Sequence, residues 1–288
     1  MIGAATGDYI GSVYEFYNIK QKDFPIIKVS SKNKIVLNRF TDDSVLTMAV
    51  AEIVELYLEG KYEGYKTVVS KLQEWARARP KAGYGGMFRK WVMMNDPRPY
   101  NSFGNGALMR ISPVGLCSKL TLQEKVRLAK EITEATHNHP QALQCVEVYI
   151  RLLDECMSYR DKSEEEQKMF KESLISRYHL IRIDEVRPTY KFDVTCDGSL
   201  PVAIAAFAES NDFEDCIRNA ISVGGDSDTI AAIAGGLGEA LYGSRAVINF
   251  LDNVRKDCGG RKCITDCMNE KDPQLVGNLI RLVIAFAS

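Results

Sequence analysis

Two short stretches place carboxylates and hydroxyls together at the start of apolar, helix-like patterns. Phe40-Thr41-Asp42-Asp43-Ser44 leads into one, and Gly224-Gly225-Asp226-Ser227-Asp228-Thr229 leads into another. Capping explains part of this, because Thr is a good N-cap and a first-turn Asp complements the helix dipole. It does not explain four carboxylates and two threonines, which would crowd uncompensated charge if the two helix starts met. A divalent cation would resolve the conflict. Mg²⁺ and Mn²⁺ take about six oxygen ligands, and Thr41, Asp42, Asp43, Asp226, Asp228 and Thr229 all supply oxygen. On spacing alone, capping and metal binding both stay open.

Other segments could do chemistry but are weaker alone. The run from Asn101 through Ser102, Phe103, Gly104, Asn105 and Gly106 to Arg110 has glycines that free backbone N–H groups to approach an anion, ahead of a helix start. The loop Gly83-Tyr84-Gly85-Gly86 is of the same kind. His137 and His139 form a His-x-His pair, yet Asn138 as a turn residue and Pro140 at a helix start explain that segment without a metal. Cys258, Cys263 and Cys267 match no common zinc knuckle and lack an evident fourth ligand, so they read as structural or inert.

Helices must position these groups. Helical periodicity marks 41–59, 65–79, 122–136, 140–157, 200–208, 213–223, 228–242, 244–254 and 275–286, with no alternation of strand and helix, so the expected class is all-α. Residues 26–37 read as a small hairpin or a surface loop, and 158–187 as a solvated polar excursion with a helix start at Ser163. Gly3, Gly7 and Gly11, and Gly235, Gly236 and Gly238, sit inside helical patterns where each costs roughly 1 kcal/mol relative to Ala. Close helix packing or close approach of backbone to a ligand would each compensate.

Composition bounds the partners. The 37 basic and 38 acidic residues give a net charge of −1, hence no global field for nucleic acid or an anionic membrane. Apolar content of 45% in 288 residues allows a sizeable core, and the most apolar stretches are interrupted by Glu239 and Arg281, short of a membrane span. The N-terminal stretch carries Asp8 and Glu15 and reads as structure rather than a leader, and the scattered cysteines read as reduced thiols, so the expected compartment is the cytoplasm.

In this order, Gly7-Asp8 to Glu15, Thr41-Asp42-Asp43, Ser102 to Gly106, Thr136-His137 and Gly224 to Ala231 resemble the ADP-ribosylglycohydrolase family, relatives of dinitrogenase reductase-activating glycohydrolase included. The resemblance implies one all-α domain over 1–288, a monomer, with motifs from both ends of the chain meeting at a central binuclear cleft. It implies that Thr41, Asp42, Asp43, Asp226, Asp228 and Thr229 hold two Mg²⁺ or Mn²⁺ ions. It further implies that Gly83, Tyr84, Gly85, Ser102, Phe103, Gly104, Asn105, Gly106 and His137 surround ADP-ribose. Glu15 matches a glutamate on a mobile loop beside the metals, and it, Asp42, Asp43 or Asp228 would carry the catalytic proton transfer. Asp8 matches a position open between helix capping and an outer contact. The implied reaction is metal-dependent cleavage of the glycosidic bond between ADP-ribose and a protein or small-molecule acceptor, an ADP-ribosylated base included. A non-catalytic ADP-ribose-binding member is disfavoured because all six metal positions carry oxygen ligands. A two-metal nucleotide phosphohydrolase would release phosphate instead of ADP-ribose. The acceptor stays open, since 190–199 matches no substrate-selecting loop.

Overall fold

The apolar patterns become helices where their periodicity places them. The computed structural model describes residues 1–32, 35–257, 268 and 271–287. Its helices are α1 (Ile2–Gly11), α2 (Asp42–Leu58), α3 (Tyr65–Ala78), α4 (Gly86–Val92), α5 (Ser112–Leu116), α6 (Leu122–Glu134), α7 (Pro140–Tyr159), α8 (Glu164–Arg177), α9 (Ile183–Val186), α10 (Cys196–Ala208), α11 (Phe213–Ser222), α12 (Ser227–Tyr242), α13 (Ser244–Asp257) and α14 (Pro273–Ala287). A single 3₁₀ turn covers Asn105–Ala107. The class is all-α, with no sheet among the described residues. The 26–37 segment makes only one antiparallel bridge, Val29 to Val36. Cys258, Cys263 and Cys267 lie outside the described residues.

Local signals set several helix ends. Ser163 and Glu166 form a capping box that starts α8, so the acidic run there is a helix terminus. Helix α10 begins at Cys196, four residues before the apolar pattern that marks it in sequence, because the Thr195 side chain accepts the Gly198 N–H as an N-cap.

The core is organised around α1 and α12. Every residue of α1 is buried, and so is α12 from Ser227 to Leu241. The glycines explain how two such helices pack. A Cβ at Gly3 would stand 2.2 Å from the Gly235 carbonyl oxygen, one at Gly7 2.1 Å from that of Ala231, and one at Gly11 2.5 Å from the Asp228 Cα. The stripe therefore serves backbone-to-backbone contact between helices, and the ligand alternative does not apply to it. Glu239 fastens the far end by accepting the Gly3 N–H at 2.8 Å and the Ser244 hydroxyl at 2.9 Å. Gly236 faces the Tyr149 hydroxyl of α7, and Gly238 faces the Phe213 ring of α11. No helix among the described residues is long and apolar enough to cross a membrane.

Overpacking this seam should be costly. Gly7→Ala is expected to lose roughly 1–3 kcal/mol of stability in urea unfolding, since a methyl group there meets rigid backbone. Gly277→Ala in α14, where a Cβ meets nothing within 4 Å, should hold or raise the midpoint. Equal midpoints for the two variants would refute the backbone-contact account.

Candidate active site

Backbone contact between α1 and α12 brings Asp8 against Asp228, and α2 completes the cluster from the side. Asp8 receives the Thr41 N–H at 3.0 Å, the Thr41 hydroxyl at 2.6 Å, the Ser44 N–H at 3.1 Å and the Ser44 hydroxyl. It therefore caps the start of α2 from another helix and at the same time touches Thr41. The Thr41 proton is committed to Asp8, the nearer of its two carboxylate neighbours, with Asp43 at 3.3 Å. Asp43 is left with one buried oxygen that has no hydrogen-bond partner.

Carboxylate oxygens of Asp8, Asp43 and Asp228 lie within 4.8 Å of one another, and so do those of Glu15, Asp226 and Asp228. Asp228 belongs to both groups. No ion pair among the described residues involves any of these side chains. Burial pushes all of them upward from ordinary carboxylate values, Asp42 and Glu15 to about 7; neighbouring carboxylates add to the rise at Glu15, Asp42, Asp43, Asp226 and Asp228, while hydrogen bonds from Ser44 and Thr41 oppose it at Asp8. Arg39 partly opposes this at Glu15. A buried acidic cluster with an orphan oxygen and no ion-pair partner fits a divalent cation.

The cluster forms one end of a cleft of about 870 Å³. Thr41, Asp42, Asp43, Asp226, Asp228, Thr229 and Glu15 line it, as do Gly83, Gly85, Ser102 to Gly106 and His137. Tyr84 does not reach the wall. Its ring is buried against Phe88 at 5.4 Å, so it packs into the core rather than among the groups expected around ADP-ribose. Gly83 takes φ +113 with Asp42 close by, where a Cβ would stand 3.2 Å from the Asp42 oxygen. Gly224 and Gly225, both left-handed, turn the chain into α12, and the Asn18 side chain accepts the Gly225 N–H at 3.2 Å.

Two expected ligand contacts are positioning groups instead. The Asn105 amide donates to Asp226 at 2.7 Å and to the Ser199 hydroxyl at 2.9 Å. Ser102 accepts the Gly104 N–H at 3.2 Å and shapes the turn. Phe103 stays half exposed in the wall, against His139 at 5.4 Å. His139 caps α7 by accepting the Gln141 N–H, so the two histidines serve different ends.

His137 is held by a relay. The fully buried Arg110 donates to the Thr136 hydroxyl at 2.6 Å, and that hydroxyl stands 2.7 Å from His137 Nδ1. Arg110 Nη2 is also 3.4 Å from Nδ1, so Nδ1 is the acceptor and the hydrogen sits on Nε2. Nε2 faces Gly104 and Gly106 of the loop. Burial, then Arg110, holds the ring well below its ordinary value of 6.5.

The cleft contains residues the motifs did not announce. Phe16, Phe192 and Val194 are exposed apolar groups at its wall, and Arg39, Lys90 and Thr195 also line it. The 193–196 segment pairs with the Ser102 to Gly106 loop through Asn105 N–H to Val194 at 2.8 Å and Cys196 N–H to Phe103 at 3.0 Å. Phe16 and Phe192 stack with centroids 6.3 Å apart. Glu15 follows α1 in a turn, and α1 is closed by the Ser12 N–H to the Asp8 carbonyl at 2.8 Å, so Glu15 is not needed as its cap.

The sequence pattern of ADP-ribosylglycohydrolase matches residues 1–281. The chain belongs to the ADP-ribosylglycohydrolase family. It is 24% identical to ADP-ribosylarginine hydrolase Tri1 of Pseudomonas putida, over 84% of this chain and 69% of that protein. It is also 24% identical to the ADP-ribosyl-(dinitrogen reductase) glycohydrolase of Rhodospirillum rubrum, over 84% of each. Among solved structures it superposes on an ADP-ribosylglycohydrolase-related protein complex with a TM-score of 0.66 at 24% identity, covering 98% of this chain and 95% of that one. The family assigns the enzyme class, hydrolysis of glycosidic bonds to ADP-ribose, and the buried carboxylate cluster lies in the cleft of that fold.

The relay predicts an imidazole that does not titrate. In NMR of ¹⁵N-histidine-labelled protein, His137 should show the Nε2–H form throughout pH 5.5 to 8, and a midpoint near the ordinary 6.5 would contradict the network. The unfolded chain binds a proton below that value and the folded one does not, so His137 should make stability fall as pH drops through 6.5.

Proposed function

We propose that this protein is a divalent-metal-dependent hydrolase that cuts the bond between C1″ of ADP-ribose and an acceptor group, releasing ADP-ribose. The observation that carries this reading is the meeting of two acidic helix starts in one cleft, with Asp43 keeping a buried oxygen unpartnered. Thr41, Asp42, Asp43, Asp226, Asp228 and Thr229 would hold two ions, Mg²⁺ or Mn²⁺, with Asp228 shared between the positions. Bound there, the ions supply Lewis acidity that lowers the pKa of water and orients ribose hydroxyls.

The chain's own groups do the rest. Backbone N–H groups of the lining residues Gly83, Gly85, Gly86, Phe103 and Gly106 would suit a diphosphate, which gives remote binding energy and holds C1″ in place. His137 Nε2–H is a neutral donor beside that loop. Glu15, half buried beside Asp226 and Asp228, is placed to take a proton from the attacking water. Water oxygen bonds to C1″ as the C1″–acceptor bond breaks through an oxocarbenium-like transition state, and the proton taken by Glu15 passes to the departing acceptor. The relatives act on different acceptors by name, ADP-ribosylarginine in one and dinitrogen reductase in the other, so the ADP-ribosyl handle is the shared substrate feature.

Asp42→Asn and Asp226→Asn should each remove bound metal, measured by elemental analysis after dialysis against Mn²⁺. Each also deletes a charge from a repelling cluster, so in chelator both variants should melt no lower than the parent protein. Full metal content in Asp226→Asn would contradict the ligand assignment.

Glu15→Gln keeps size and polarity but loses basicity. Turnover of an ADP-ribosyl substrate should drop by roughly 10²-fold or more, the scale of general-base loss, while ADP-ribose affinity stays within a few fold. Near-normal turnover would move the base to an Asp of the cluster.

A further inference from the structure

A second groove, about 410 Å³, opens beside the cleft and shares two of its walls, Arg39 and Ala82. The shared wall lies at the carboxylate end. Arg39 precedes Thr41 by two residues, and Ala82 directly precedes Gly83, which lies against Asp42. In the hydrolase reading, the scissile bond sits at that end, so an acceptor leaving the cleft there enters the groove.

The groove is basic. Arg39, Arg79, Lys81 and Lys271 line it, against one carboxylate among its described lining residues, Asp272. Asp272 is already engaged by Arg79, whose guanidinium donates to it at 3.1 Å and lies 4.4 Å over the Trp75 ring. Arg39 and Lys81 are exposed. Lys271 donates to the Val36 carbonyl at 2.9 Å, which holds the amine at the rim. The surrounding sequence agrees: residues 77–98 carry six basic side chains against Asp96 alone, in a chain whose net charge is −1. Balanced overall charge thus hides a local cationic field.

The floor decides what kind of anion fits. It is made by Phe40, Val45, Pro80 and Ala82, with Phe40 buried, so no exposed ring is offered for a base to stack on. Single-stranded nucleic acid is normally held by such rings along a basic track. A groove with an apolar floor and cationic rims matches a peptide that alternates carboxylates with small apolar side chains. We propose that this groove is an acceptor subsite that binds an acidic peptide segment adjoining the ADP-ribosylated residue of a substrate protein. The proposal rests on the hydrolase reading for where the acceptor emerges, but not for the groove's affinity.

Two measurements test the two parts separately. The first is binding of a fluorescein-labelled Glu/Val-rich peptide without ADP-ribose, read by anisotropy. It should bind the intact protein, weaken with salt, and lose roughly 10-fold or more in affinity in Lys81→Glu/Lys271→Glu, as expected for reversing two rim charges. Circular dichroism and metal content of that variant should match the parent, since neither lysine belongs to the cleft. The second is hydrolysis of ADP-ribosylated peptides whose flanking residues are acidic or neutral, beside an ADP-ribosylated free amino acid. The acidic peptide should show the lowest KM in the parent and lose that advantage in the variant, while the free amino acid conjugate is cleaved equally by both.

Failure of all hydrolysis with peptide binding intact would sink the hydrolase reading and leave the groove. Equal binding of acidic and neutral peptides, or displacement of the acidic peptide by a lower concentration of an oligothymidine, would overturn the groove assignment. So would an equal loss by the variant on the free amino acid conjugate.

Discussion

Contact between the backbones of α1 and α12 is the constraint on which the rest depends. Gly3, Gly7 and Gly11 let the two helices approach until carbonyl oxygens of α12 occupy the space a side chain of α1 would need. Burying both helices so completely leaves no room for water, which raises the cost of any charge held between them. Yet the seam ends in Asp228 on one helix and extends to Asp8 on the other. The fold therefore builds an environment in which carboxylates are costly and then places them there, an arrangement that needs a cation or protons for balance.

Much of the surrounding polar structure holds those carboxylates in register. Asp8 uses both oxygens on the N-terminus of α2, which fixes Thr41, Asp42 and Asp43 relative to α1. Asn105 ties Asp226 to the 102–106 loop, and that loop is tied to the 193–196 segment. A ligand bound to the loop is in this way linked mechanically to the acidic cluster. The Arg110–Thr136–His137 relay supports the same loop, and burial, with the Arg110 guanidinium beside it, keeps the imidazole neutral across the physiological range.

How much of this could be read in the sequence follows from the kind of signal each part gives. The acidic helix starts were legible because carboxylates at helix N-termini break the usual economy of one cap per helix, and both starts line one cleft. The glycines were visible but ambiguous, since a helical glycine signals close approach without saying what approaches. Tyr84 was misplaced because its glycine neighbours set the loop's backbone while its own ring went to the Phe88 contact, a tertiary preference with no local mark. Asp8 gave its chemistry but not its role. Its partners are the N–H groups and hydroxyls of a helix start more than thirty residues away. Phe16, Arg39, Phe192 and Thr195 carry no motif at all, because their place in the wall comes from loop pairings between distant segments.

That distribution explains why reaction type and acceptor differ in how readily they are inferred. The acidic end and the glycine loops come from helix termini and tight turns, which short sequence patterns encode. The wall beyond the carboxylates is assembled from Phe16, Arg39, Lys81 and Phe192 to Thr195, which belong to separate connections between helices. Exposed side chains on such connections tolerate change because the packed core does not depend on them. A fold built this way can keep its cluster and its ADP-ribose handle fixed while that wall changes charge and shape. In this chain the wall combines exposed aromatic rings on one side with a cationic groove on the other, and the groove opens where Arg39 faces Glu15. Selection among acceptors then falls to residues that neither hold the cluster nor support the core.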